Sequence, residues 1–355
     1  MFYPWTWVVG LFLGATIGSF LNVVIYRMPR GISLSNPKNS FCPNCKHQLG
    51  PADLFPLLSW LILGGKCRYC KVKVPPRYFL VELLNGIIWA AIWYQYMVVR
   101  WDVGTAVAYA AVASSLVAII FIDWEFYIIP DQINAFLFFV GLAYNYYLFA
   151  SHRPTAFASN GLPNSIAGAL LGVGILWFIA MFGRLMFGKD AMGHGDIKMV
   201  RGFGAVLFPV MTLWSIALAV LAGAILGGVQ ALLLKGDSYS PAEAAGGSKT
   251  EPGDDAKGEA DEVYEPESIG SLIKCGIGYV LCLDIIGLFI PKFYISYFGE
   301  DPYLPVQEME DYEVERTMIP FGPYLAMGAI AAVVFQHQLM GVWNAYLAWV
   351  TGSRG

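Results

Sequence analysis

The chain has 355 residues, 57% of them hydrophobic and 14% charged, with a mean hydropathy of +0.55. A soluble domain carries about 25% charged residues, so a single water-exposed globule is excluded. The net charge of −4 averages two unlike segments: residues 27–77 hold nine Lys/Arg against one acid, Asp53, and residues 236–267 hold ten Asp/Glu against two Lys. Neither has the look of a nucleic-acid footprint, and no nucleic-acid partner is expected.

Membrane-crossing helices need roughly 20 mostly apolar residues. Runs of that kind fall near 5–26, 78–99, 104–122, 133–150 and 164–187. The stretch 199–234 is too long for one comfortable crossing and carries Pro209, so it reads as a short helix to residue 208 and a full one from 211. A final span lies within 320–350. The first run begins almost at Met1 and ends in Tyr26-Arg27-Met28-Pro29-Arg30, which reads as a retained helix with its basic end inside. With the N-terminus outside, the basic loop 27–77 falls in the cytoplasm, as the positive-inside rule requires. Residues 123–132 and 188–198 then share that face.

Segment 236–267 is rich in Gly, Ala, Ser, Pro, Asp and Glu. It has too little apolar surface to offset ordering entropy, and disorder is expected. Residues 269–298 are apolar but broken by Lys274, Asp284 and Pro291. An extra span, a re-entrant segment and an interfacial helix all fit them.

Four of the six cysteines form two pairs, Cys42-Pro-Asn-Cys45 and Cys67-Arg-Tyr-Cys70, 21 residues apart in the basic loop. Each CxxC turn points two thiolates at one place, and two turns complete a tetrahedral S4 site for structural Zn2+. His47 is expected to be a solvated neighbour of Cys45. Cys275 and Cys282 lie in the later apolar run.

Two acids carry the chemistry. Asp123 ends a nearly all-apolar run, in Phe121-Ile122-Asp123-Trp124-Glu125, and Asp196 sits in Gly193-His194-Gly195-Asp196-Ile197-Lys198 where a polar loop becomes an apolar helix. The glycines let the backbone turn tightly and bring a carboxylate close to a neighbouring helix. Two close carboxylates cannot both ionise cheaply and share a proton, the arrangement of aspartyl proteases. Asp131 is expected to cap a helix, Glu125 to be a solvated interfacial acid, and Glu82 to pair within the bundle or serve a second activity. His194 reads as a permissive position, and Asp284 receives no role.

Taken in order, these pieces resemble the prepilin peptidase family of type IV pilus and type II secretion systems, membrane aspartyl proteases with a GxGD motif. The resemblance rests on Gly18-Ser19-Phe20-Leu21-Asn22 through Arg27-Met28-Pro29, the paired CxxC motifs flanking Leu57-Leu58-Ser59-Trp60, and Arg77-Tyr78 through Glu82-Leu83-Leu84. It continues with Asp123 and Ile129-Pro130-Asp131, Gly193–Lys198, and Ile319-Pro320-Phe321-Gly322-Pro323-Tyr324. It implies a multi-pass endopeptidase of the bacterial inner membrane, acting at the cytoplasmic face with Asp123 and Asp196 as catalytic residues. Its substrates would be prepilins and pseudopilins with a basic leader and a hydrophobic N-terminal helix, cut after the leader's glycine. The resemblance also implies N-methylation of the new terminus with S-adenosylmethionine. A proton-coupled transporter using the same carboxylates and an assembly protein docking through the zinc loop are the competing readings.

The expected architecture is an all-α polytopic membrane protein, a bundle of about eight transmembrane helices, with one more if 269–298 crosses. Residues 1–26 form the first helix, 27–77 a zinc-binding cytoplasmic loop domain and 78–235 the membrane peptidase core. Residues 236–315 form the acidic insert with its apolar segment, and 316–355 the C-terminal transmembrane helix.

Overall fold

The computed structural model describes residues 3–36, 39–158, 160–188, 190, 192–234, 267–303 and 320–351. The acidic stretch for which disorder is expected lies, Glu267 apart, outside them. Among the described residues the regular structure is helical, with isolated β-bridges at Phe41–Gln48, Lys66–Lys73 and Phe157–Pro163 and no named strand.

Helix α1 spans Trp7–Arg27, and a short α2, Leu58–Ile62, lies within the basic loop. α3, Arg77–Ile92, runs on as a π-helix over Trp93–Val99. α4 is Val103–Phe126, α5 Asp131–Ala150, α6 Asn164–Phe187 and α7 His194–Leu234. Three short helices come next: α8 Ile269–Val280, α9 Leu283–Phe289 and α10 Pro291–Phe298. α11, Gly322–Val334, and α12, Gln336–Thr351, close the chain.

Among the described residues, five helices are long and apolar enough to cross a membrane, or up to seven if each of two bent pairs counts as one span. The expectation of about eight is not reached by this measure. One reason is that α7 counts as one span although two helical pieces meet in it, as the sequence reading has it, at Phe208 (φ 64°, ψ 172°), just before Pro209. Proline lacks an N–H and pushes the residue before it out of the helical region. Another is the C-terminus, where the chain bends by 83° between α11 and α12 instead of continuing as one rod. Gln336 staples that bend: Tyr96 donates to its Oε1 (2.5 Å), and its Nε2 donates to Tyr109 (2.8 Å).

α4 is the central helix. Of its most apolar stretch 78% is buried by neighbours, against 39–50% for the other long helices. It packs on α1, α3, α5, α7 and α11. The outer helices turn Phe178, Phe182, Leu185 and Phe136 outward, a face that lipid can solvate and water cannot. α1 and α3 approach closely where α1 carries Gly10, Gly14 and Gly18. A Cβ on Gly14 would lie 2.5 Å from Trp89 Cβ, and Asn85 donates across the gap to the Gly14 carbonyl (2.7 Å). Small residues at a four-residue spacing are the usual means of close approach between membrane helices.

Segment α8–α10 is tied at both ends to the start of α7. Glu267, just before α8, pairs with His194 at the start of α7 (3.0 Å). Tyr294 of α10 hydrogen-bonds Lys198 and Asp131, and the Pro302 carbonyl accepts from Gln132 (3.3 Å). The segment therefore leaves from and returns to the end of the bundle where α4 stops and α5 and α7 begin. It is bent by 77° between α8 and α9.

Candidate active site and metal centre

Asp123 sits in the last turn of α4, before Tyr127 ends the helix in a left-handed conformation (φ 56°) and donates back to the Asp123 carbonyl (2.9 Å). Asp196 sits in the first turn of α7. Both are buried, 5% and 8% exposed. The Asp123 charge acts on Asp196, so the two carboxyls lie within Coulombic reach of each other.

Two glycines and one isoleucine hold this junction. The Gly322 backbone lies against the Asp123 carboxyl: a Cβ at 322 would overlap Asp123 Oδ2 and lie 3.2 Å from its Cγ. The Ile129 side chain wedges between α11 and α7: its Cδ1 would sit 2.9 Å from a Cβ at Gly322, and its Cβ 3.1 Å from one at Gly195. In the sequence Gly322 stands out only as one residue of a motif. The structure makes it the floor under Asp123. Asp196 Oδ1 is buried without a hydrogen-bond partner, an uncommon state for a buried polar atom, which usually marks strain, a missing water or a reactive group.

Nearby acids depart from expectation. Asp131 opens α5 but makes no helix-cap hydrogen bond. Instead it accepts from Lys198 Nζ at 3.0 and 2.9 Å and from the Tyr294 hydroxyl. A buried lysine has to be paired, and that demand outweighs the cap. Glu125 is not simply solvated: it pairs with Arg77 and lies 3.9 Å from Arg30, tying α1, α3 and the end of α4 together. Asp284 receives the buried Arg201 through two bonds of 2.7 and 2.6 Å. Asp284 and Arg201 are each a lone charge in an apolar run, the sequence signal by which their pairing could have been found.

The four cysteines of the basic loop converge. Their sulfurs all lie within 4.8 Å of one another, with Cys42 and Cys70 at 3.9 Å. Metal–sulfur bonds of about 2.3 Å in a tetrahedron set sulfurs about 3.8 Å apart, so the donor set fits Zn2+. The two halves repeat one pattern. Cys42 N donates to His47 O (2.9 Å) and Cys67 N to Val72 O (2.9 Å), while Lys46 and Lys71, after each second cysteine, are left-handed (φ 56° and 58°). His47 is not in the cluster and lies against the Tyr69 ring, centroids 3.6 Å apart. Burial pushes the Asp53 carboxyl up, but hydrogen bonds from Arg68, Gly50 and Tyr69 outweigh it and leave it below the usual carboxylate range.

Between this loop and helices α1 and α3 lies a cavity of about 590 Å3, walled by Asn22, Tyr26, Trp60, Tyr78, Phe79 and Glu82, with Glu125 at its edge. Glu82 is buried. It accepts from Leu57 N (2.8 Å), in a left-handed turn (φ 63°), with Ser19 as a second partner.

Comparison with known proteins agrees with this layout. Residues 12–96 match the model of the bacterial peptidase A24 N-terminal domain, and residues 110–228 that of the type IV leader peptidase family. A prepilin leader peptidase/N-methyltransferase of Pseudomonas aeruginosa is 32% identical over 65% of this chain and 83% of its own. One of Klebsiella pneumoniae is 36% identical over 58% and 87%. One of Myxococcus xanthus is 31% identical over 96% and 93%, an alignment that takes in the segment between α7 and α11. No solved structure matches. With two family models in succession and relatives at this identity covered over most of their length, this multi-pass membrane protein belongs to the type IV leader peptidase family.

Proposed function

We propose that the chain cleaves the leader peptides of type IV prepilins and pseudopilins at the cytoplasmic face of the bacterial inner membrane, with Asp123 and Asp196 as the catalytic pair. The burial of both carboxyls, with Asp123 within Coulombic reach of Asp196, supports the reading. Close together in a site screened from water, they share one proton. The ionised partner takes a proton from water as it attacks the scissile carbonyl carbon. The protonated partner donates to the carbonyl oxygen, and collapse of the tetrahedral intermediate returns a proton to the leaving amine. The unpartnered Asp196 Oδ1 is free to hold that water or the carbonyl. The bilayer takes part as solvent for the substrate's hydrophobic helix, and the basic loop sets the orientation.

The second activity belongs to the loop domain 27–77 together with α1 and α3. The Cys42, Cys45, Cys67 and Cys70 cluster would hold a structural Zn2+, with four thiolates leaving no open position. The cavity beside it has the size of a small-molecule site and would take S-adenosylmethionine, which supplies the methyl group. Glu82 is the buried acid on its wall, placed to pair with the new terminal amine. Core residues 78–235 carry the cleavage.

The transporter reading has no comparable support. It calls for sites near the bilayer midplane at a repeat interface, whereas Asp123 and Asp196 lie at helix ends. The test is to incubate the purified protein with a prepilin and labelled methyl donor and to weigh the product. Loss of the leader with gain of one methyl is expected, and an intact prepilin contradicts the proposal.

A further inference from the structure

The helix carrying Asp196 has two faces, and its back face is fully engaged. His194, Lys198 and Arg201 succeed one another at steps of four and three, so they share one side of α7. Asp196, two residues from both His194 and Lys198, projects to the opposite side. Every basic group on the back face is met by segment α8–α10 or by Glu267 just before it. His194 Nε2 lies 3.0 Å from Glu267, Lys198 Nζ 2.8 Å from the Tyr294 hydroxyl, and Arg201 2.7 and 2.6 Å from the Asp284 oxygens.

One residue touches all three. Tyr279 of α8 is 2% exposed. Its hydroxyl lies 2.8 Å from His194 Nδ1, its ring centroid 5.4 Å from Lys198 Nζ, and its carbonyl accepts from Arg201 Nη1 at 2.9 Å. Its ring stacks on Phe298 of α10 (5.7 Å, 4° between planes), which fixes it from behind. On the front face Asp196 Oδ1 has no partner, and the turn before it is flanked by Gly193 and Gly195, residues that leave the backbone many conformations. The other carboxyl oxygen faces Gly193 of its own turn, so whatever fixes that turn from behind also fixes the carboxyl.

We propose that Tyr279 is a positioning residue for leader cleavage, acting through His194 to fix the first turn of α7 and with it the Asp196 carboxyl. This rests on the catalytic reading of Asp196. It gives the segment beyond α7 a function in the peptidase reaction and makes His194, between its two glycines, a handle for the clamp.

The test compares Tyr279→Phe, His194→Ala and the double variant, each full-length, for kcat and KM of prepilin cleavage. Methyl transfer to a pre-cut substrate and zinc content are read in parallel. Loss of one positioning hydrogen bond predicts a kcat about tenfold lower with KM unchanged. Because the two residues act through one contact, the double variant should be no worse than the poorer single one. Methyl transfer and zinc content should match the unaltered protein. Unaltered kcat in either single variant, additive losses, or a parallel fall in methyl transfer that marks a merely structural defect would each overturn the proposal. An Asp196→Asn control separates the two levels. If it cleaves normally, both readings fall. If it is inactive while Tyr279→Phe keeps full kcat, the positioning claim alone falls.

Discussion

The cysteine loop and the aspartate pair bring distant residues together by different physics. The loop has a five-residue helix, two bridges and many exposed apolar side chains, among them Leu54, Phe55, Leu61 and Ile62. It has little core of its own, and its four sulfurs call for a metal to close it. The aspartates stand on helices whose packing is complete without a ligand: Ile119 and Ile122 before Asp123, and Ile197, Met199 and Val200 after Asp196, are buried to within 1%. One region would be organised by the metal that its sulfurs fit. The other is organised by its helices and binds with what they leave unsatisfied.

The largest expected effect breaks the comparison at the loop. Metal binding supplies on the order of 10–16 kcal/mol to small zinc modules. A chelator, or Cys42→Ser with Cys67→Ser, should therefore unfold residues 39–76, read as protease sensitivity of the loop, and abolish methyl transfer. Cleavage should fall far less, since Asp123 and Asp196 stand on α4 and α7 and not on the loop. Equal loss of both activities would mean that the regions are not separable.

A smaller effect sharpens the comparison on the other side. Gly322→Ala places a methyl where the Asp123 carboxyl lies. A displacement of about 1 Å in a catalytic group costs about a hundredfold, so cleavage should drop by that order while zinc content and methyl transfer hold. Full activity in Gly322→Ala would show that the carboxyl does not rest there.

Legibility in the sequence divides along the same line. The cysteine cluster is legible because its geometry is local: two CxxC turns announce their ligands by spacing alone. Asp123 and Asp196 are legible as acids at the ends of apolar runs, and the break in α7 as Pro209. Gly322, Ile129 and Tyr279 are not, because their work depends on which helices touch, and no periodicity within one helix encodes its neighbour. Asp131 misleads for the same reason: a residue after Pro130 at a helix start looks like a cap until Lys198, on another helix, takes it. The bent path of α8–α10 is hidden by its composition, which suits a span as well as a hairpin. Only the pairing of Arg201 with Asp284 and the return of Tyr294 to Asp131 reveal it.

The central claim is that two carboxyls, remote in the chain, share one reaction. The most direct measurement is the rate of leader removal by Asp123→Asn and by Asp196→Asn, each checked for zinc content and for methyl transfer to a pre-cut substrate. The account predicts that each change lowers cleavage by roughly 10⁴-fold with the other two readings intact. Leader removal at the unaltered rate by either variant would contradict it.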